Sequence, residues 1–351
     1  MNLFEGATNF RLAGRTTWHG NTLYLGYSAS YIEFRFFGDK VTSRMLSDGC
    51  PEGNEFRAWV AVFLDGEEEP NLRFPVEKGC REYTIYESAQ KREVTVKIMK
   101  YSEAAFASLG IQDIQINGEL LELPAYPKKK IEFIGDSITC GYGIEGIAEK
   151  DIFTTAQENP WLAYACKTAR ILNADFELVS WSGNGVISHY VEEFVNEPRV
   201  DKPLMPQLYR YSDWELEQRL GIKNATEWKT IMEPNIILLH LGTNDASYTR
   251  GLKERNEKFE EAYLNFIKRI RKAHEKAAVL CTLGVMNPAL NGSVRHAVER
   301  ANMLGDENIF FLELPLQSES DGMGTDYHPT IKTHDKVAKI LVEFIKEHGL
   351  W

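Results

Sequence analysis

The feature that most limits what this chain can fold into is a change of periodicity near residue 125. Before it, short alternating runs dominate: Tyr31-Ile32-Glu33-Phe34-Arg35-Phe36, Trp59-Val60-Ala61-Val62-Phe63-Leu64 and Val94-Thr95-Val96-Lys97-Ile98. Their β-branched and aromatic content and rough period of two are those of strands with one face on a core. Asp65-Gly66 follows the second run, and Asn117-Gly118 separates Ile114-Gln115-Ile116 from Glu119-Leu120-Leu121. Both pairs suit the positive φ angles of hairpin turns. Many short strands with regular turns predict an antiparallel β-sandwich, jelly-roll-like, over residues 1–122. Residues 123–130, with two prolines and three lysines, read as a linker.

Beyond the linker, strands alternate with helices. Residues 131–134, 176–180, 235–241, 278–283 and 308–312 have strand character, and helices are predicted over about 160–172, 254–276 and 331–347. The second helix is the clearest: Phe259, Ala262, Tyr263, Phe266, Ile267 and Ile270 follow the i, i+3, i+4, i+7 rule. This alternation implies right-handed crossovers and a parallel sheet covered on both faces, so 131–351 is expected to be an α/β domain. Residues 195–230, rich in Pro, Tyr and Trp, fit no element; long insertions of this kind often shape binding sites.

Composition narrows the function classes. A length of 351 residues exceeds what one core usually supports, in keeping with two domains. Lys plus Arg total 40 against 51 acids, a net charge of −11, and only Lys128-Lys129-Lys130 forms a basic run. Such a surface repels phosphate backbones, so no nucleic-acid partner is expected. No window approaches the apolar length of a membrane span, and Met1-Asn2-Leu3-Phe4-Glu5-Gly6 carries no export signal, so the expectation is a cytoplasmic protein. The five cysteines contain no C-x-x-C pair and read as reduced apolar fillers, with Cys50–Cys80 as the one bridge left open.

The carboxyl ends of the strands of an open parallel sheet are where ligands bind. Here they lead into Gly135-Asp136-Ser137, Ser180-Trp181-Ser182-Gly183-Asn184-Gly185, Gly242-Thr243-Asn244-Asp245 and, near the C-terminus, Thr325-Asp326-Tyr327-His328-Pro329. These are the parts that acyl transfer needs. Ser137 is the nucleophile candidate and His328 the base that would take its proton. Asp326 would fix the ring's tautomer. The backbone N–H groups of Ser137 and Gly183 and the side-chain amide of Asn244 would hold the oxyanion, with Gly185 as competitor for Gly183. Each piece has a structural alternative: turn chemistry for Gly-Thr-Asn-Asp, a surface site for His328, a helix cap for Asp326. Their joint order on successive strand ends favours catalysis.

These four blocks resemble those of the SGNH (GDSL-type) hydrolases over about 131–351. The preceding β-domain, and an Asp two rather than three residues before the His, are similar to one branch, carbohydrate esterase family 2. Thr325 stands where most SGNH hydrolases carry their acid. The resemblance implies a flavodoxin-like catalytic domain with a five-stranded parallel sheet. It also implies removal of acetyl groups from hemicellulose-derived oligosaccharides (xylan, glucomannan) without metal or cofactor. Some members of that branch work as a Ser-His dyad, which leaves the role of Asp326 open.

Pyranose C–H faces stack on aromatic rings, which makes Tyr327, then Trp181, Trp214 and Trp228, candidates for substrate binding. Of the other histidines, His240 reads as core, His334 lies on the closing helix, and His274, His296 and His348 read as solvated; none has metal-ligand spacing. Two alternatives stand beside the deacetylase: a short-chain esterase or lipase of broad specificity, and a carbohydrate-binding protein with a spent hydrolase domain. Self-association is left open.

Overall fold

A computed structural model describes residues 1–5, 9–49, 54–125, 127–230 and 233–351. The chain divides into two compact units, Met1–Tyr126 with Thr154–Glu158 and Ser212–Thr226, and Pro127–Phe153 with Asn159–Tyr211 and Glu227–Trp351.

In the first unit, eight antiparallel strands form one continuous network: β1 (Phe10–Ala13), β2 (Thr16–His19), β3 (Thr22–Leu25), β4 (Tyr31–Ser47), β5 (Ala58–Leu64), β6 (Leu72–Val76), β7 (Gly79–Lys100) and β8 (Leu109–Leu121). Their order is β2-β3-β8-β4-β7-β5-β6, with β1 added along β4. Bulges adjust register to burial. Ile32, Phe34 and Phe36 of β4 point inward, the register shifts between Gly38 and Lys40, and Val41 and Met45 then keep the inward face on the opposite parity. Asn117-Gly118, expected as a hairpin turn, is the partner of that bulge inside the unbroken β8. Gly118 has φ +156 and faces Gly38, and a Cβ there would overlap Phe37 O. Glycine was therefore a mark of close backbone approach and not of reversal. Cys50 lies outside the described residues; Cys80 is exposed, its Sγ 3.2 Å from Gln112 Oε1.

Arginines hold both later segments to this unit. Arg73 donates to Ala156 O and Glu158 O. Arg219, in α4 (Trp214–Arg219), donates to Ala105 O, Phe106 O and Asp48. Part of the stretch that fitted no element from the sequence is thus a short helix of the first unit.

The second unit is a five-stranded parallel sheet of β9 (Lys130–Gly135), β10 (Asp175–Ser180), β11 (Ile236–His240), β12 (Ala278–Val285) and β13 (Ile309–Leu316), in the order β10-β9-β11-β12-β13. This is the flavodoxin-like order, and the chain leaves β9 toward one edge and later returns on its other side. Strands β9, β10, β11 and β12 are buried throughout; β11 and β12 are largely apolar, whereas β9 and β10 carry buried charges that find partners, Lys130 on Glu177 and Glu132 on Tyr209. The helices are α1 (Ser137–Cys140), α2 (Tyr164–Ile171), α3 (Met205–Leu208), α5 (Thr243–Thr249), α6 (Lys253–Ala273), α7 (Asn291–Met303) and α8 (Ile331–Glu347). Helix α2 starts four residues later than Pro160 suggested; its first amide, Tyr164 N, is accepted by His334 Nδ1 at 3.0 Å. Burial pushes His334 to about 3, so its ring stays neutral and can accept. His274, expected in solvent, is buried with Nδ1 2.7 Å from Glu233. No helix among the described residues is long and apolar enough to cross a membrane.

Candidate active site

The crevice of a 2-1-3-4-5 sheet opens at the carboxyl end of its first strand. Here β9 ends at Gly135, and Asp136 caps α1 by accepting from Ile138 N at 3.1 Å. Ser137 is the first residue of that helix, where amide groups have no acceptor within the helix. Its Oγ lies 2.9 Å from His328 Nε2, so residues 191 positions apart meet in one hydrogen bond.

The backbone before His328 fixes the ring. Asp326 and Tyr327 both adopt left-handed φ values, +52 and +58, which cost about 1–2 kcal/mol each for non-glycine residues. Neighbouring contacts over-determine this turn: Gly324 N donates to His328 O at 2.8 Å, and Gln317 Nε2 donates to Tyr327 O at 2.8 Å. The ring's Nδ1 then faces two main-chain carbonyls, Thr325 O and Asp326 O, each at 3.2 Å. That places the proton on Nδ1 and leaves Nε2 to accept from the Ser137 hydroxyl. Asp326 thus orients the ring through its backbone. Its carboxylate, assigned to that role from the sequence, instead accepts from Tyr142 OH at 2.8 Å. The left-handed turn sends the side chain away from Nδ1. Burial pushes His328 down to about 4, against the opposing pull of the Thr325 carbonyl and the Asp326 charge.

Asn244, on the first turn of α5, is buried, and its Nδ2 donates to Asn184 O at 2.8 Å and to Asp136 Oδ2 at 3.3 Å. The longer of the two bonds is the weaker. The two candidate glycines separate cleanly. Gly183 has φ +72, open space where a Cβ would stand, and an N–H with no acceptor among the described residues; it lines the cleft. A Cβ on Gly185 would overlap Ser188 O and Asp245 Oδ2, so this glycine serves packing.

Asp245 was read from the sequence only as part of a block. It is buried and accepts from Val186 N, Ile187 N and Ser188 N at 2.9, 2.7 and 3.1 Å. Its neighbour Asn244 is thereby tied to the loop that carries Gly183. Burial pushes Asp245 up to about 6 despite the three donors.

A cleft of about 790 Å³ joins Ser137, Gly183, Asn244, Asp326 and His328, and Trp181 lines it as well. Tyr327, Trp214 and Trp228 do not. Tyr327 is 54% exposed and donates to Glu149 Oε1 at 2.8 Å. Trp214 lies in α4 of the first unit, and Trp228 is half-buried beside the Tyr211–Glu227 bridge. The aromatic residues that sequence reasoning missed are Tyr142 and Tyr190. Tyr142 stacks on Phe153 at 3.5 Å and meets the His328 ring at 4.4 Å. Its flanking glycines, Gly141 and Gly143, were the available signal of a shaped loop.

Residues 133–336 match the model of the GDSL-like lipase/acylhydrolase family. The chain belongs to that family. Residues 12–124 match the N-terminal domain of carbohydrate esterase 2, so this GDSL-type chain joins the two domains that family 2 carbohydrate esterases combine. It is 30% identical over 340 residues to the cellulase/esterase CelE of Acetivibrio thermocellus, covering 93% of this chain and 38% of that protein. The chain therefore spans well under half the length of that relative. An acetylxylan esterase / glucomannan deacetylase of Cellvibrio japonicus is 24% identical over 351 residues, covering 98% of this chain and 90% of its own. Among solved structures, a family two carbohydrate esterase from Clostridium thermocellum in complex with cellohexaose superposes with a TM-score of 0.84 at 29% identity, covering 97% of this chain and 100% of that one. An acetyl xylan esterase from the rumen bacterium Butyrivibrio proteoclasticus shares the fold, with a TM-score of 0.86 at 23% identity over 100% of this chain and 98% of its own.

Proposed function

We propose that the chain is a carbohydrate O-acetylesterase acting on acetylated oligosaccharides such as those of xylan and glucomannan. The observation that carries this reading is the 2.9 Å contact between Ser137 Oγ and His328 Nε2 at the floor of the cleft. Ser137 Oγ attacks the acetyl carbonyl while His328 Nε2 takes its proton. The tetrahedral oxyanion is held by the N–H groups of Ser137 and Gly183 and by the Asn244 amide. On collapse, the C–O bond to the sugar breaks and the imidazolium returns its proton to the sugar oxygen. Water then attacks the acetyl-serine with His328 again as base, releasing acetate. Asp326 raises the basicity of the ring by charge and by its backbone carbonyl.

The size and polarity of the cleft support a sugar over a long acyl chain. An acetyl group fills a small corner of about 790 Å³, and Glu192, Arg199, Asp201 and Lys202 line the remainder. The test is acetate release from acetylated xylo-oligosaccharides and glucomannan fragments, followed by proton NMR, by the wild type and by Ser137→Ala. The wild type is expected to release acetate and the variant none. Equal turnover by both would remove the nucleophile, and a preference for long acyl chains would favour the broad-specificity esterase.

A further inference from the structure

The cleft has one wall built from a single excursion of the chain. Residue 189 pairs with residue 199 in an antiparallel bridge, with His189 N donating to Arg199 O at 2.9 Å. Between these ends the chain turns at Glu192–Val195. Tyr190 and Glu192 line the cleft from the outgoing limb, and Arg199, Asp201 and Lys202 line it from the return. This excursion supplies most of the charged groups of the cleft.

The excursion is fastened to the far end of the helix that carries Asn244. Val191 N donates to Ser247 Oγ at 2.9 Å. Arg250, in left-handed conformation at the end of α5 (φ +49), spreads its guanidinium over the turn. Its Nη2 donates to Glu192 O at 2.9 Å and to Val195 O at 2.5 Å, its Nη1 to Asn196 Oδ1 at 3.4 Å, and its Nε to Ser247 O at 2.9 Å. Arg255 adds a bond to Asn196 O at 2.9 Å. Arg250 does not line the cleft. A planar fork reaching several carbonyls at once is a use of arginine that lysine cannot reproduce.

We infer that Arg250 is a positioning residue for leaving-group selection: it holds the 190–196 turn as the wall against which the hydroxyl-rich sugar of the substrate rests. The inference builds on the deacetylase reading above. The acetyl group is handled by Ser137, Gly183, Asn244 and His328 alone, so a small aryl ester needs no wall. An oligosaccharide does, because the Tyr190 hydroxyl and Glu192 carboxylate that this turn sets in the cleft, beside Arg199, Asp201 and Lys202 of the return limb, are the partners its hydroxyls would find. A loosened turn must be ordered again each time a sugar binds, and that entropy appears in KM.

The experiment compares Arg250→Ala, Arg250→Lys and wild type on p-nitrophenyl acetate and on acetylated xylo-oligosaccharides. For Arg250→Ala, the KM for oligosaccharide is expected to rise about tenfold, with kcat/KM for p-nitrophenyl acetate within about twofold of wild type. Arg250→Lys should recover only part of the loss. A parallel loss on both substrates overturns the inference, because Arg250 would then be supporting α5 and Asn244 as a whole. Unchanged kinetics on both overturns it as well. If the wild type cleaves the aryl ester but no acetylated sugar, the deacetylase reading itself fails and takes this inference with it.

Discussion

The carboxylate of Asp326 accepts a hydrogen bond from Tyr142 at 2.8 Å, while the histidine two residues later turns its Nδ1 to the carbonyls of Thr325 and Asp326. Ring orientation is therefore a property of the backbone at 325–326. In a Ser-His-Asp triad, replacing the acid by its amide costs about 10⁴ in kcat because the wrong tautomer is then favoured. Here Asp326→Asn leaves both carbonyls in place. It should lower kcat on p-nitrophenyl acetate by less than about tenfold, the loss coming from the missing negative charge that supports the imidazolium. A loss near the triad value would show that the carboxylate reaches Nδ1 during turnover.

The acid limb of the rate profile follows from His328. Burial lowers its pKa to about 4, and only the neutral ring can accept the Ser137 proton. As pH falls, kcat/KM should hold through the ordinary histidine range near 6.5 and drop only around pH 4. Folding stability moves differently. His240, His328 and His334 are all held below their ordinary value by burial, so the unfolded chain takes up protons first and stability declines as pH falls below about 6.5. Initial rates well below the unfolding temperature separate the two. A kinetic pKa at or above 6.5 would show that the half-buried ring, which lines the cleft, is not desolvated enough to depress it.

Asn244→Ala tests the oxyanion site. Losing one preorganised donor costs about 10²–10³ in kcat with little change in KM, because the bond strengthens only as the carbonyl oxygen gains charge. The same substitution leaves Asn184 O and Asp136 Oδ2 without that donor, so the unfolding temperature must be measured alongside. A rise in KM at constant kcat would reassign Asn244 to ground-state binding.

The parts of this architecture that were legible in the sequence share a physical cause. Parallel strands buried on both faces, such as β11 and β12, are largely apolar along their length, and α6 must show a stripe, so both announce themselves. The motifs at the strand ends were legible as candidates because Ser137, Gly183, Asn244 and His328 are residue types that acyl transfer uses, and the fold gathers them in one cleft. What stayed hidden depends on direction or on tertiary pairing. Helix α7 begins at Asn291-Gly292, a pair that reads as a turn, and no earlier stretch of the chain pointed to it. Of the Asn117-Gly118 pair only Gly118 adopts a positive φ, and the opposing Gly38 makes the pair part of a bulge and not of a hairpin turn. Asp326 is close to His328 in sequence, yet a left-handed backbone decides where its side chain goes. Tyr327 occupies the catalytic motif and points to Glu149 for the same reason.

Asp245 offers the last test, because it connects the two halves of the proposed oxyanion site without lining the cleft. Its carboxylate gathers the amides of residues 186–188, just beyond Gly183, while Asn244 precedes it on α5. Asp245→Asn keeps an acceptor for those amides but gives up the charge that makes the bonds strong. Asp245→Ala removes the acceptor and leaves the buried amides of Val186 and Ser188 unpaired, at about 1–3 kcal/mol each, with the half-buried Ile187 amide losing less. The expected order of kcat is wild type, then Asn, then Ala, with the alanine variant also losing unfolding temperature. Gly185→Ala presses on the same carboxylate from the other side and should destabilise by about 1–3 kcal/mol through overpacking. If Asp245→Asn instead matched wild type in kcat while Asn244→Ala showed its full loss, the loop would be holding Gly183 in place without help from the carboxylate charge.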